Sequence, residues 1–201
     1  MIILDSNHLR ELYSWPAEIP QNKVMSKLEQ HGKNFLSHSP FMLMSTYDTS
    51  GKVDTSPRGG EPGFVKILDD QTLLLPDAHG NNRVDSLINI VETGRVGCLF
   101  LIPGIDETLR LNGSAVVTND ESYLSYFQDL PKAPKTVVKI TIEEVFLHCA
   151  KALMRSKLWG PEYRLERPGF PTLGQMLKDQ LSLTATMPSQ EEMVEIFKKE
   201  L

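Results

Sequence analysis

Two short stretches of this chain bring together residue types that hold anionic ligands. The first, DTSPRGG (Asp54–Gly60), joins Arg58 to paired glycines and continues as EPGFVKIL. The second, HGNNRVDSL (His79–Leu87), places Asn82 and Arg83 ahead of an apolar-periodic segment, and the run TLLLPD (Thr72–Asp77) lies between the two. Glycines let backbone N–H groups come close to a ligand, and helix N-termini and arginine both favour phosphate. In the second stretch Asn82 is an N-cap type, Asp85 stands three positions on where it can reach back, and Arg83 falls at the first helical position. A cation there opposes the helix macrodipole. Either a bound anion resolves that conflict, or Arg83 is a solvated arginine balanced by Asp77 or Asp85. SPRGGEPG also reads plainly as a glycine-rich connection between strands, and Lys66 as an outward residue on a half-exposed strand. Neither GxGxxG after a strand nor GK[ST] is present, so the standard nucleotide fingerprints do not apply.

A third cluster is LHCAKALMRSKLW. Read as a helix, it sets His148, Lys151, Arg155 and Trp159 near one face. A cationic face ending in an aromatic suits a planar anion; the alternative is a solvated face with Leu153 and Leu158 turned inward. His148 and Cys149 are adjacent, so their side chains point apart and make no nucleophile–base pair. There is no GxSxG, no HExxH and no carboxylate pair, and hence no side chain to name as catalytic. Cys98 and Cys149 lack CxxC or metal spacing, which predicts no metal site and a reducing compartment.

The elements that must position these residues follow from periodicity. Residues 6–14 read as a short helix with Ser6 as N-cap, ended by Pro16 and Pro20, and a second helix is predicted from about Lys23 to Ser37. Phe41–Tyr47 is a strand, turning at Asp48–Gly51 into Lys52–Ser56, and Phe64–Leu68 with Thr72–Leu75 form a second hairpin. Val84, Leu87, Ile88 and Val91 give a helical face closed by Gly94. Arg95–Ile102 is nearly all apolar, as for a strand buried on both faces or at a subunit contact. Thr108–Val117 alternates, a short helix follows Asp120, and Thr136–Leu147 is a further strand. From Cys149 the chain reads mostly helical, with Ser189 and Glu192 as a capping box for the last helix.

Six or seven hairpin-linked strands flanked by helices predict an α+β chain with an antiparallel sheet or small barrel, not alternating βαβ units. The 201 residues carry no linker that divides them and read as one domain. A net charge of −5 argues against a nucleic-acid partner. MIILDSNHLRELY has no signal-peptide pattern and no apolar run approaches a membrane span, so the expectation is a cytoplasmic protein.

Taken in order, SPRGG, LLLPD…GNNR.DSL, VGCLFLIPG, ETLRLNG and HC.KAL.RS.LW resemble the pyridoxamine 5'-phosphate oxidase-like family of flavin mononucleotide (FMN) binding split-barrel proteins, over roughly Phe41 to Trp159. The resemblance implies a six-stranded antiparallel Greek-key barrel at about 40–148, N-terminal helices at 5–38 and a helical C-terminal extension at 149–201. It also implies a homodimer with FMN at the subunit interface. By the same resemblance Asn82 and Arg83 hold the FMN phosphate, Lys66 lies near the flavin, and Leu75 and Pro76 line it. Thr108 reaches the partner subunit's flavin, Ser56 and Arg58 lie in a loop beside the ring, and Arg155 and Trp159 add a late cationic and aromatic contribution. The chain departs from the true oxidases, which usually carry two consecutive basic residues where Asn82-Arg83 stands and a C-terminal tryptophan, arginine and histidine signature that is absent here. The resemblance therefore implies an FMN-dependent oxidoreductase of unknown substrate and electron donor rather than a vitamin B6 oxidase. The alternatives are a non-catalytic flavin or haem binder on the same barrel, or a deazaflavin enzyme.

Overall fold

Alternating apolar residues in the middle of the chain form one antiparallel sheet. The computed structural model describes residues 2–3, 5–78 and 80–199; His79 and the last two residues, 200–201, lie outside them. The strands are β1 (Phe41–Tyr47), β2 (Val53–Gly59), β3 (Lys66–Ile67), β4 (Thr72–Pro76), β5 (Arg95–Ile102), β6 (Ile105–Thr118) and β7 (Val137–His148). Their spatial order is β2-β1-β5-β6-β7-β4-β3, so the chain crosses over between β4 and β5. Met42 and Met44 of β1 share one core cluster with Leu73 and Leu75 of β4, although these strands lie near opposite ends of that order. The sheet therefore curls around its own apolar face as a split barrel.

Seven strands replace the six implied by the resemblance. The extra one, β3, is only two residues long and pairs only with Leu73–Leu74 of β4. Phe64 and Val65, expected to belong to that strand, pack into the core instead. β2 runs on to Gly59, beyond its predicted end at Ser56. Pro57 is tolerated there because β2 is an edge strand whose only partner is β1. The predicted glycine-rich loop at Ser56–Gly59 is thus strand.

Helices flank the barrel. α1 (Ser6–Tyr13) is capped by the Asp5 carboxylate, not by Ser6. α2 (Glu18–Asn22) accommodates Pro20 in its first turn, where no intrahelical N–H is required. The helix expected from Lys23 begins later, as α3 (Gln30–His38), with Glu29 accepting from the His31 and Gly32 N–H groups. The residues ahead of it are irregular and tied to the sheet at one point, where Met25 exchanges two backbone hydrogen bonds with Val145 of β7, 3.0 and 2.8 Å long. α4 (Asp85–Thr93) ends at Gly94, whose φ of +67° suits glycine. Its barrel-facing residues are Ser86, Leu87, Asn89 and Ile90, with Asn89 Nδ2 donating to Thr46 Oγ1 at 2.9 Å. The predicted face is only partly correct, since Ile88 and Val91 remain 48% and 71% exposed.

α5 (Glu121–Leu124), capped by Asp120, covers a second small cluster of Leu74, Phe127 and Val137. After β7 come α6 (Lys151–Ser156), α7 (Leu173–Leu181) and α8 (Gln190–Lys198), the last starting with the predicted capping box. Arg95–Ile102 alternates in burial, Val96, Cys98 and Phe100 facing the core, so it is not buried on both faces in this chain. No helix among the described residues is long and apolar enough to cross a membrane.

Candidate functional site

Strand alternation builds one wall of the candidate site. Asp54, Ser56 and Arg58 share one side of β2, where a barrel strand would otherwise present apolar residues. The first turn of α4 docks onto this polar side through Ser86, whose hydroxyl donates to Asp54 and lies 3.0 Å from Ser56 Oγ. Arg58 Nε donates to Ser56 Oγ at 3.3 Å, and its guanidinium reaches Asp77, just past β4, at 3.4 Å. Three segments are thereby tied together, and between them lies a cavity of about 350 Å³ lined by Ser56, Arg58, Asn82, Arg83, Asp85 and Ser86, among others.

The loop into α4 differs from its predicted form. Asn82 is not the N-cap and Arg83 is not in the helix; Val84 holds the cap position and α4 starts at Asp85. Asn82 and Val84 have φ of +59° and +51°. For a β-branched residue that conformation is strained by about 1–3 kcal/mol. No described side chain caps the first turn of α4, so the N–H groups of a nine-residue helix open at the cavity. Arg83 pairs with Asp85, Nε and NH2 lying 2.9 and 2.8 Å from the same carboxylate oxygen. Sequence reasoning offered Asp85 as a balancing charge but missed Asp54 and Ser86, which the period of two along β2 and the docking of α4 bring in.

Two kinds of donor here suit a phosphate monoester, the helix N–H groups and the two guanidinium groups, while the Ser86 hydroxyl proton is already given to Asp54. Set against them are the carboxylates of Asp54, Asp77 and Asp85. Asp54 and Asp77 are committed to Ser86 and Arg58, whereas Asp85 occupies the outer, exposed position on Arg83. The donor set is thus of the kind a phosphate needs, with the Asp85 carboxylate lying on Arg83.

The remaining sequence-predicted residues do not line this cavity. Leu75 and Pro76 are buried in β4 and lead into Asp77. Lys66 sends its ammonium to the Gly63 carbonyl at 3.3 Å. Thr108 is buried near the start of β6, opposite His148. Trp159 lies beyond α6, not on it, and its indole N–H donates to the Ile105 carbonyl at 2.9 Å. Arg155 is exposed on α6. The predicted helical face through His148 does not exist, because His148 ends β7. Its ring packs 4.9 Å from Phe146, which lies beneath Lys23 and Arg110. Partial burial, then the charges of Lys23 and Arg110, lower the His148 pKa below 6.5.

The profile of the pyridoxamine 5'-phosphate oxidase family matches residues 28–149, more than half of the chain. The chain belongs to that family. The pyridoxamine 5'-phosphate oxidase match takes in the barrel and every cavity residue, but stops before Arg155 and Trp159. No curated protein matches the chain. Its fold is similar to HupZ of Group A Streptococcus in two crystal structures. One has 20% identity and a TM-score of 0.51, covering 60% of this chain and 98% of that one. The other has 22% identity and a TM-score of 0.50, covering 60% and 93%. An FMN-binding protein from Syntrophomonas wolfei superposes with a TM-score of 0.46 at 14% identity, over 58% of this chain and 88% of that one.

Proposed function

We propose that this member of the family binds FMN through its phosphate at the Asn82–Arg83 helix start and acts as an FMN-dependent oxidoreductase. The observation that carries the reading is the uncapped N-terminus of α4, opening beside Arg58 and Arg83 in one cavity. FMN, when bound, supplies the hydride or electron transfer. The chain's own residues bind and orient: Arg83 and the α4 N–H groups take the phosphate, while the Asp54–Ser86–Ser56–Arg58–Asp77 network fixes the cavity wall.

The working unit is a homodimer with FMN between subunits. Ile88 and Val91 leave an apolar stripe outward on α4, which suits a subunit contact. Two free cysteines agree with a reducing, cytoplasmic location.

Arg83→Ala is the direct test. Loss of one charge-assisted phosphate contact weakens FMN binding by about ten-fold, read by quenching of flavin fluorescence. Unchanged affinity removes Arg83 from the site. A second reading, a non-catalytic flavin or haem binder, draws on His148, a half-buried imidazole at the end of β7.

A further inference from the structure

We infer that Asp85 stands in for the phosphate on Arg83 in the ligand-free protein, and that an incoming phosphate must displace it to bind. The inference rests on the FMN reading and deepens it. Three observations carry it. Arg83 directs both Nε and NH2 at one Asp85 oxygen, so the face of the guanidinium suited to a phosphate is already occupied. Asp85 also sits at the first position of α4, where the helix dipole attracts an anion. Finally, the cavity holds three carboxylates against two guanidinium groups, so an incoming anion is repelled unless one carboxylate leaves.

Asp85 is the one that can leave. Asp54 is held by Ser86, and the Arg58–Asp77 pair is about one-fifth exposed, its side chains at 20% and 23%. The Asp85 side chain is 46% exposed and its partner 75%, so it turns into water at little cost. A phosphate monoester dianion brings two charges to Arg83 and the open N–H groups where Asp85 supplies one, so it displaces the carboxylate at a cost in affinity. A ligand without a phosphate does not engage Arg83 and leaves the pair in place. Arg83 is never left bare.

The test measures FMN and riboflavin binding, by flavin fluorescence, to four proteins: the unaltered chain, Asp85→Asn, Arg83→Ala and the double variant. Riboflavin has the same ring and no phosphate. The inference expects Asp85→Asn to tighten FMN by about five-fold, as for removal of an exposed competing ion pair, and to leave riboflavin unchanged. In the Arg83→Ala background the gain should vanish, because Asp85 then has no guanidinium to occupy. An equal gain in both backgrounds means simple repulsion and overturns the exchange. No gain, or weaker binding, also overturns it, and the FMN reading survives if Arg83→Ala alone weakens FMN. Failure of the unaltered chain to bind FMN removes both.

Discussion

Arg83 and His148 are two basic side chains in very different settings. The Arg83–Asp85 pair is exposed, so it contributes little to stability, about 0–1 kcal/mol; under the proposed function its significance is for the ligand. His148 is partly buried, and Lys23 and Arg110 add their charge to the desolvation that disfavours its imidazolium. Its folded pKa is therefore below the ordinary 6.5. The sign follows from linkage. The unfolded chain takes up the proton first as pH falls, so His148 removes stability on acidification below about 6.5 and costs nothing at pH 8. Proton NMR should give a His148 titration midpoint below 6.5, and Lys23→Gln should raise it. A midpoint at or above 6.5 contradicts the packing around Phe146.

Among the elements, β6 and β7 carry the longest ladder, and a bulge at Asn112/Gly113 shifts its register. A Cβ on Gly113 would run into the Thr141 carbonyl oxygen, so the strands touch through their backbones. Gly113→Ala should cost about 2 kcal/mol or more, whereas Gly169→Ala, with nothing within 4 Å, should be nearly silent in the same thermal melts. Strands with clean apolar signals were legible in the sequence: β1 and β5 have the predicted boundaries. The end of β2 was not, because Pro57 and Gly59 are loop signals in any central strand and only its edge position admits them. The start of α4 was misread for a related reason. Asn82 and Val84 adopt positive φ, so the best capping side chain stands two residues too early. The site was legible as residue types, Arg58, Asn82 and Arg83, while their partners Asp54 and Ser86 needed the tertiary docking of α4 on β2.

At the scale of the whole molecule, the family match covers the barrel and leaves out α1, α2, α6, α7 and α8. α7 and α8 keep apolar side chains outward, Leu173 and Leu181 at 48% and 63% exposure. The two cysteines report on the barrel's integrity. Cys98 lies in the core, where burial pushes its thiol pKa up to about 12, whereas Cys149 is exposed just past β7. A thiol reagent at pH 8 should modify one cysteine per native chain, found by peptide mapping at Cys149, and both after unfolding. Modification of Cys98 in the native protein would mean that the barrel opens readily.

The central claim, that this barrel holds FMN at the start of α4, is tested most directly by the visible absorption spectrum of the purified, untagged protein, followed by chromatography of whatever acid releases. The account predicts a flavin spectrum and released FMN. A haem band would move the cofactor to the second reading and to His148. A colourless protein that also fails to take up added FMN would contradict the account, leaving Arg83 and Asp85 as an ordinary ion pair on a helix start.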